Sequence, residues 1–428
     1  MQLRSSGLLV QDIEHNLFEL ILKDIEEQVR QMSLSSAARA ALTYSSSLRT
    51  VLAASVVALA GLTLGCGAST PFTGAGPNHN AYVTLPAVGS VLQLDINGAT
   101  GVITLGAQTP TTEDTSPTGM ALSPSRNLLY TVNPAQDSIS VFSVGSDGSL
   151  NLTADPTPVD IGADQAVVDP SGKYLLVSNS VLNGSVSVFS IAANTGALSE
   201  LPGSPFPANA YPTNLVFTHN GNFVFVTNPS EGSITAFSFA GGVLTQVPGS
   251  PFASLVGGGG GAAAMIVDGS DSYLYVANPT AFNPLLASTG NISGFNIDSS
   301  TGALSMMGGS PFTSTYGNGP TAMTIDPSGR FVYAMTPGSS YSIWCFAITS
   351  SGNSNSGELV AVTNSPFSLA AGGLFAFFDP SGSYLYIGSE ESKAIEGYHF
   401  NSSTGVLTAI TGSPFSTGSA PGGMVFSD

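Results

Sequence analysis

The fold of this chain is decided by one stretch, Asp169-Pro170-Ser171-Gly172-Lys173-Tyr174-Leu175-Leu176-Val177, because the stretch recurs along the chain. Related copies begin at Ser123, Thr218, Asp268, Asp326 and Asp379. Asp, Pro and Gly at the first, second and fourth positions are typical of a type I β-turn. The aromatic and β-branched residues that follow favour a strand. Each copy therefore predicts a tight turn that leads into a β-strand.

Two further motifs mark the remainder of each repeat. A Thr-Gly turn occurs at Thr195, Thr301 and Thr404, and the triplet Ser-Pro-Phe begins at Ser204, Ser250, Ser310, Ser365 and Ser413. With an alternating strand such as 185–189, these motifs define units of four short strands. Units of roughly 40–50 residues with four strands are typical of a β-propeller. We expect the Phe of each Ser-Pro-Phe triplet to pack between adjacent blades.

The repeats predict an all-β, seven-bladed β-propeller with four antiparallel strands per blade. The units lie at 77–110, 118–158, 164–206, 212–252, 262–312, 320–367 and 373–415. The first unit begins at its second strand, 80–84, and the chain ends in one further strand-like segment, 421–427. We therefore expect the C-terminal strand to join the N-terminal blade and to close the ring without an open sheet edge.

These motifs resemble those of a known family. The phrase at 320–333, the strand at 185–189 and the Thr-Gly-Ala-Leu turn at 195–198 are similar to those of the seven-bladed lactonase-type propellers. That family includes 6-phosphogluconolactonase-like proteins and is close to the YVTN-repeat propellers. The resemblance covers residues 77–428 and implies a lactonase fold, with lactone hydrolysis as the activity to test.

Composition and charge exclude several partners. Charged residues make up 8% of the chain, far below the usual ~25%, and the formal net charge is -18. After Cys66 the basic residues are Arg126, Lys173, Arg330 and Lys393, against 21 acidic residues. A body this acidic repels nucleic acid and anionic membrane surfaces. We expect no nucleic-acid partner.

The loops of a four-stranded meander fall on two faces. The Asp-Pro-Ser-Gly and Thr-Gly turns share one face, the tight-turn face. The inter-blade loops and the loops between second and third strands share the other, the loop face. The loop face varies in length between repeats, which favours it as the binding face. The candidate binding residues on it are Asp137, Asp164, Gln165, Asn214, Glu231, Glu390 and Glu391.

The loop face departs from what the resemblance implies. In lactonase-type enzymes, His often follows the inter-blade Pro, and Arg, His and Glu line the channel mouth. The corresponding positions here are Thr118, Asp164, Thr213, Ala263, Thr321, Leu374 and Gly422, and none is His. A phosphorylated lactone needs cationic or N–H partners for its phosphate. The sequence therefore argues against a phosphorylated substrate.

Residues before the propeller resemble an export signal. Residues 51–64 are small and apolar, Arg39 and Arg49 precede them, and 62–66 (Leu-Thr-Leu-Gly-Cys) resembles the lipobox of bacterial lipoproteins. The predicted organisation is an N-terminal extension at 1–31, a signal peptide at 32–66, a tether at 67–76 and the propeller at 77–428. Cleavage before Cys66 and acylation of its thiol would give an extracytoplasmic protein, anchored by lipid to the cell envelope. An uncleaved anchor and an ordinary signal peptide are the alternatives.

Two functions remain open at this stage. The first is a non-catalytic propeller that binds a protein, glycan, small molecule or cation on its loop face. The second is a hydrolase of unphosphorylated lactones, in which Asp164 or Glu231 acts as general base or holds a metal that activates water. No metal-ligand motif and no cofactor motif is present in the sequence, although the acidic face could accept a divalent cation. Cys345 is expected to be a buried apolar residue rather than a nucleophile.

The lipidation prediction can be tested on the expressed full-length chain. We expect the processed protein to start at an acylated Cys66, because the thiol is the acceptor that a lipobox presents. Intact mass spectrometry and detergent partition would detect the anchor. Cys66→Ser should release the protein from the membrane fraction, and Cys345→Ser should leave it there. An acylated N-terminus at any other residue would contradict the prediction.

Overall fold

The propeller prediction is confirmed by the three-dimensional arrangement of the strands. A computed structural model describes residues 78–111, 116–254, 261–279, 290–313, 319–336, 341–350, 355–363 and 365–427. Within them the chain forms seven antiparallel sheets and one 3-10 helix, Pro86–Val88. In this part of the chain no helix is long and apolar enough to span a bilayer. The predicted extension, signal peptide, Cys66 and tether lie outside the described residues.

The strands, numbered in chain order, occupy four positions in each blade. The innermost strands are β34 (Gly423–Phe426), β4 (Met120–Leu122), β9 (Ala163–Val168), β14 (Leu215–Phe217), β19 (Ala264–Val267), β24 (Ala322–Ile325) and β29 (Gly373–Phe378). The second strands are β1 (His79–Leu85), β5 (Leu128–Asn133), β10 (Tyr174–Asn179), β15 (Phe223–Asn228), β20 (Tyr273–Asn278), β25 (Phe331–Thr336) and β30 (Tyr384–Ser389). The third strands are β2 (Ser90–Ile96), β6 (Ser138–Val144), β11 (Ser185–Ile191), β16 (Ser233–Ala240), β21 (Asn291–Ile297), β26 (Ser342–Ile348) and β31 (Ala394–Phe400).

The fourth strands are short except in blade 1. They are β3 (Ile103–Pro110), β7 (Leu150–Leu152), β12 (Leu198–Glu200), β17 (Val243–Gln246), β22 (Leu304–Met306), β27 (Leu359–Ala361) and β32 (Leu407–Ala409). Six blades add a two-residue strand: β8 (Thr157–Pro158), β13 (Phe206–Pro207), β18 (Phe252–Ala253), β23 (Phe312–Thr313), β28 (Phe367–Ser368) and β33 (Phe415–Ser416). Blade 1 consists of β34 and β1–β3, and blades 2 to 7 follow in chain order.

The ring closes through the two ends of the propeller. β34 pairs antiparallel with β1, with Ala81 opposite Phe426 and Thr84 opposite Gly423. Each innermost strand contacts the next around the ring, including β29 with β34 and β34 with β4. The predicted strand exchange is therefore confirmed, and the innermost strands surround one central channel.

The Asp-Pro-Ser-Gly turn is held by its own carboxylate. Asp169 Oδ1 accepts hydrogen bonds from the backbone N–H groups of Lys173 at 2.8 Å and Tyr174 at 2.7 Å. Asp169 Oδ2 accepts from the N–H and the hydroxyl of Ser171. Gly172 has φ 72°, a conformation that an L side chain rarely adopts. Asp268, Asp326 and Asp379 accept the same four hydrogen bonds in their blades. These carboxylates are fully occupied by the turn.

The Ser-Pro-Phe triplet interrupts the fourth strand, a detail that the sequence pattern does not reveal. In blade 3, β12 pairs with the end of β11 and β13 pairs with its start, with Val186 opposite Phe206. In the gap between them, Ser204 Oγ accepts a hydrogen bond from the N–H of Val188 at 2.9 Å. The Ser residues at 250, 310, 365 and 413 do the same in their blades. Short, interrupted outer strands protect a sheet edge from pairing with other chains.

The aromatic residue of the triplet packs where the sequence predicts. Phe206 lies against the apolar cluster shared by blades 3 and 4, and Phe312 is buried in the cluster shared by blades 5 and 6. Phe415 lies against the cluster shared by blades 7 and 1. Each of these rings fills space between its own blade and the next, as expected.

Tyrosines of the second strands hold neighbouring blades together. The hydroxyl of Tyr386 in blade 7 donates to the carbonyl of Gly101 in blade 1 at 2.7 Å, across the seam where the ring closes. The equivalent pairs are Tyr82 with Gly148, Tyr130 with Gly196, Tyr275 with Gly357 and Tyr333 with Gly405. All five tyrosines are fully buried. Each acceptor glycine lies in the turn between the third and fourth strands of the next blade. We call these pairs the tyrosine clasps.

The clasp at the seam gives a stability prediction. We expect Tyr386→Phe to lower the free energy of unfolding by about 1–2 kcal/mol, because the Gly101 carbonyl loses its partner in a buried site. Tyr174→Phe is the matched control, since Tyr174 is only half-buried and its hydroxyl donates no clasp. Urea denaturation measures both. Equal stability of the two variants would show that the seam does not depend on this bond.

Candidate functional site

The candidate site lies on the loop face around Asp164. Asp164 is the second residue of β9, at the end where the inter-blade loop enters the ring of innermost strands. A β-bulge places it there, because the register between β9 and β10 shifts between Val177 and Asn179. A bulge re-aims side chains locally and is common beside functional sites.

Asp164 is a buried carboxyl group without a charged partner. Its residue exposure is 6%, and within the described residues its Oδ2 makes no hydrogen bond and neither oxygen enters an ion pair. Burial raises the pKa of Asp164 to about 7, because desolvation penalises the carboxylate. A buried and unpaired polar atom costs stability. A hydrogen bond from a bound ligand group would offset this cost at Asp164.

Polar groups of neighbouring blades converge on the same segment. Gly119 of blade 2 leaves room for the segment that carries Asp164. A Cβ atom at Gly119 would lie 2.9 Å from the carbonyl oxygen of Asp164 and 3.1 Å from Gln165 Oε1. The N–H of Gln165 donates to Ser178 Oγ at 3.1 Å. The hydroxyl of Ser178 donates to the carbonyl of Thr213 in blade 4 at 2.7 Å. The site is therefore built across blades 2 to 4.

Asn214 is less available than the sequence suggests. It is 1% exposed, and its Oδ1 accepts a hydrogen bond from the N–H of Met265 at 3.3 Å. This bond links blades 4 and 5. Asn214 therefore supports the wall of the site.

Asp137 and Glu231 bind neighbouring loops. Asp137 Oδ1 accepts from the N–H groups of Gly162 at 2.7 Å and Ala163 at 3.3 Å, so it fixes the loop that carries Asp164. Glu231 is exposed, and its Oε2 accepts from the side-chain amide of Asn209 at 2.6 Å. Glu231 therefore holds an inter-blade loop.

The remaining acidic candidates lie at the surface of blade 7. Glu390 and Glu391 are exposed. A hydrogen bond to Glu391 and the charge of that carboxylate raise the pKa of Tyr341. Among the described residues, no three His, Cys, Asp or Glu side chains lie close enough to hold a metal ion. The divalent cation that the sequence left open stays a prediction.

Cations lie mainly away from the loop face. Arg126, Lys173 and Arg330 lie between first and second strands, on the tight-turn face. Arg330 is engaged there, because its Nη1 donates to the carbonyl of Ser402 at 3.1 Å and its guanidinium lies 5.2 Å from the ring centre of Phe331. Lys393 follows a second strand and lies on the loop face.

The histidines in the described residues contact side chains outside the candidate site. On the tight-turn face His219 Nδ1 lies 2.7 Å from Asp271 Oδ1. The ring of His399 packs edge-on against Tyr384. His79 lies 3.9 Å from Asp379, the carboxylate of a tight turn.

A groove of about 290 Å³ lies on the tight-turn face between blades 3 and 4. It is lined by Asp169, Lys173, Tyr174, Asn220 and Phe239, among others. Its carboxylate is already occupied by the turn, and its one cation is exposed. Nothing in its lining is an unsatisfied polar group, so we do not assign it the function.

Sequence reasoning missed several buried polar side chains. Glu396 in β31 is 1% exposed, and its carboxylate accepts from the N–H groups of Ala370 and Ala371 and from the hydroxyl of Tyr398. The only signal was a charged residue at an inward position of a third strand. Asn residues that end four second strands donate to Ser, Thr or Asn side chains of the third strands, at Asn133, Asn179, Asn228 and Asn278. Both carboxylate oxygens of Glu396 are paired, whereas the Oδ1 atoms of these four Asn residues, like Asp164 Oδ2, are buried without a hydrogen-bond partner in the described residues.

Cys345 is apolar in character, as expected. It is fully buried, and burial raises the pKa of its thiol to about 12. A thiol that stays protonated at neutral pH is a poor nucleophile.

The raised pKa of Asp164 predicts a pH-dependent stability. The folded protein holds this proton between about pH 4 and 7, whereas the unfolded chain releases it, so stability falls as the pH rises through this window. We expect Asp164→Asn to match the natural protein near pH 4 and to exceed it by roughly 2–4 kcal/mol near pH 8. Thermal denaturation across pH measures the difference. Asp160→Asn, at an exposed position, should show no such trend, and a pH-independent difference for Asp164→Asn would contradict the buried, unpaired state.

Comparison with known proteins agrees with the fold. A 6-phosphogluconolactonase of Formosa agariphila is 37% identical over 84 residues, which is 19% of this chain and 24% of that relative. The chain thus matches about a quarter of the length of that curated relative. A candidate 6-phosphogluconolactonase of Bacteroides fragilis superposes with a TM-score of 0.67 at 17% identity, over 84% of this chain and all of that one. The periplasmic gluconolactonase of Pseudomonas aeruginosa superposes with a TM-score of 0.66 at 16% identity, over 82% of this chain and 99% of that one.

Family membership rests on a match over most of the chain. The family described as "Lactonase, 7-bladed beta-propeller" matches residues 54–366. The seven closed blades and the repeated turn motifs agree with this match. The chain belongs to the seven-bladed lactonase β-propeller family.

Proposed function

We propose that this propeller binds an uncharged lactone or a similar oxygen-bearing small molecule on its loop face, with Asp164 as the polar anchor. One observation carries the proposal: Asp164 is buried, and its Oδ2 has no hydrogen-bond partner within the described residues. A ligand carbonyl or hydroxyl would supply the missing partner. Family membership supports a lactone as the chemical class.

The charge distribution supports a ligand without a phosphate. Of the basic side chains in the propeller, Lys393 alone lies on the loop face. The carboxylates of Asp137, Glu231, Glu390 and Glu391 lie in loops of the same face. A phosphate there would meet repulsion rather than the Arg, Lys or N–H donors that it needs. The ligand is therefore unphosphorylated.

A second candidate function is hydrolysis of the bound lactone, which the pKa of Asp164 favours. A carboxyl group with a pKa of about 7 is half ionised at neutral pH, the range in which a general base works best. The Asp164 carboxylate would take a proton from water while the water oxygen bonds to the lactone carbonyl carbon. The ring C–O bond then breaks, the proton passes to the leaving oxygen, and a hydroxy acid results.

The same proposal places the propeller outside the cytoplasm on a lipid anchor at Cys66. The support is the lipobox-like segment at 62–66 and the apolar run before it. A soluble lactone in the cell envelope would then reach the loop face directly.

Calorimetric titration with δ-valerolactone and its stable lactam analogue tests both functions. For binding alone, we expect affinity to fall as the pH rises through about 7, because the protonated Asp164 carboxyl donates to the ligand carbonyl. For hydrolysis, acid release in a pH-stat should rise through the same pH, because the carboxylate is the base.

Two variants separate these outcomes. Asp164→Ala should weaken binding about tenfold, the effect of losing one good hydrogen bond. Asp164→Asn keeps an N–H donor, so it should retain binding and lose any turnover. Asp160→Asn is the control and should match the natural protein. If the natural protein neither binds nor hydrolyses these compounds, the proposal is wrong.

A further inference from the structure

Three exposed apolar side chains form a surface beside the candidate site. Leu182 is 67% exposed, Ile161 is 65% exposed and Tyr211 is 44% exposed. Ile161 and Tyr211 lie in the inter-blade loops before blades 3 and 4, and Leu182 lies in the loop after β10. All three loops are on the loop face. We call these three residues the apolar lip.

Backbone hydrogen bonds hold the loops of the apolar lip together. The N–H of Ser180 donates to the carbonyl of Gly162 at 2.6 Å, and the N–H of Tyr211 donates to the carbonyl of Val181 at 2.8 Å. Val181 also packs closely against Gly162. A Cβ atom added to Gly162 would lie only 2.7 Å from Cγ1 of Val181. The lip is therefore formed before any ligand arrives.

The backbone at Tyr211 is in an unfavourable conformation. Its φ is 52°, in the left-handed region that non-glycine residues rarely occupy. Such residues persist where the surrounding structure fixes them, and they cluster at ligand sites. Here the strained residue carries a large aromatic side chain that is 44% exposed. This observation points to a binding role for Tyr211.

One residue of the apolar lip is close to Asp164 in the sequence. Ile161 lies in the loop that leads into β9 and precedes Asp164, the second residue of that strand, by three residues. Asp137 fixes the two residues between them through its bonds to the N–H groups of Gly162 and Ala163. The loop that carries Ile161 is therefore fixed relative to Asp164, so a ligand anchored at Asp164 would have an exposed apolar side chain three residues away.

Charge around the lip decides which amphiphile fits. Asp160 is exposed next to Ile161, and Glu231 is exposed beside the loop that carries Tyr211, which it holds through Asn209. These carboxylates repel a fatty acid or a phosphorylated tail, whereas an uncharged alkyl chain pays no such penalty.

We propose that the ligand of this propeller is an uncharged lactone that carries an alkyl substituent, with the tail on Ile161, Leu182 and Tyr211 and the ring at Asp164. The inference rests on the proposed function and narrows it from lactones in general to tailed ones. It makes Ile161, Leu182 and Tyr211 specificity-determining residues, since they would distinguish tailed lactones from polyhydroxylated sugar lactones.

Calorimetric titration with a series of γ-lactones tests the proposal: γ-butyrolactone without a tail, γ-octalactone and γ-decalactone. We expect binding to tighten about twofold to fourfold per methylene until the lip is covered, the range expected for partial to full burial of each CH2 group. In the double variant Ile161→Ser, Leu182→Ser, the ratio of tailed to tail-less affinity should fall towards one. Both side chains are exposed, so the variant should fold, and its Tm verifies this.

Two controls identify how the proposal would fail. Val243→Ser removes another exposed apolar side chain, 50% exposed, from an outer strand of blade 4, and it should keep the full chain-length dependence. Decanoate, an anionic amphiphile, should bind far more weakly than γ-decalactone. Tail-independent binding by the natural protein would overturn the lip and leave the proposed function standing. Loss of binding of the whole series would overturn both.

Tyr211→Gly separates a binding role from a structural one. Glycine accepts the positive φ without strain, so the variant should keep or gain thermal stability. It should nevertheless lose affinity for γ-decalactone relative to γ-butyrolactone. Retained chain-length dependence in this variant would remove Tyr211 from the lip.

Discussion

Closure of the ring is the constraint on which the rest of this structure depends. Seven blades pack face to face only if the last blade meets the first, and the chain achieves this by pairing β34 with β1. The same seam carries the clasp between Tyr386 and Gly101 and an apolar cluster shared by blades 7 and 1. A gap at the seam would expose a sheet edge and an apolar interface together. The two ends of the propeller, β1 and β34, are therefore as important to stability as any internal repeat.

The repeated motifs serve this constraint, and that explains where function can reside. The carboxylates of the tight turns each accept four hydrogen bonds, and the glycines of the other turns accept the tyrosine clasps. These groups of the tight-turn face are thus committed to holding turns and blades. At the positions equivalent to Asp164, the bonds that repeat among the described residues come from backbone N–H groups, so the side chains there can differ. An unsatisfied carboxyl group can persist there because the ring is stabilised elsewhere.

Most of the fold could be predicted from the sequence, because its determinants are local. The Asp-Pro-Ser-Gly turn depends on four adjacent residues, and a repeated turn reveals the blade count. The interruption of the fourth strand could not be predicted, since it depends on Ser204 Oγ replacing a backbone partner for Val188 across the sheet. Glu396 was missed for the same reason, as its partners Ala370 and Ala371 come from the preceding inter-blade loop.

The candidate site was predictable only as a face and a set of acids. Asp164 and Asp137 looked alike in the sequence, yet Asp164 is buried beside a bulge and its Oδ2 has no hydrogen-bond partner among the described residues, while Asp137 accepts two backbone hydrogen bonds. Ionising Asp164 in the empty protein is costly, which is why its pKa is raised to about 7. A ligand with an anionic group would add repulsion to that cost, and a purely apolar ligand would leave Oδ2 unpaired. A neutral ligand with an oxygen for Asp164 and an apolar part for the adjoining lip satisfies both conditions, so the environment of one carboxyl group restricts the chemistry of the whole face.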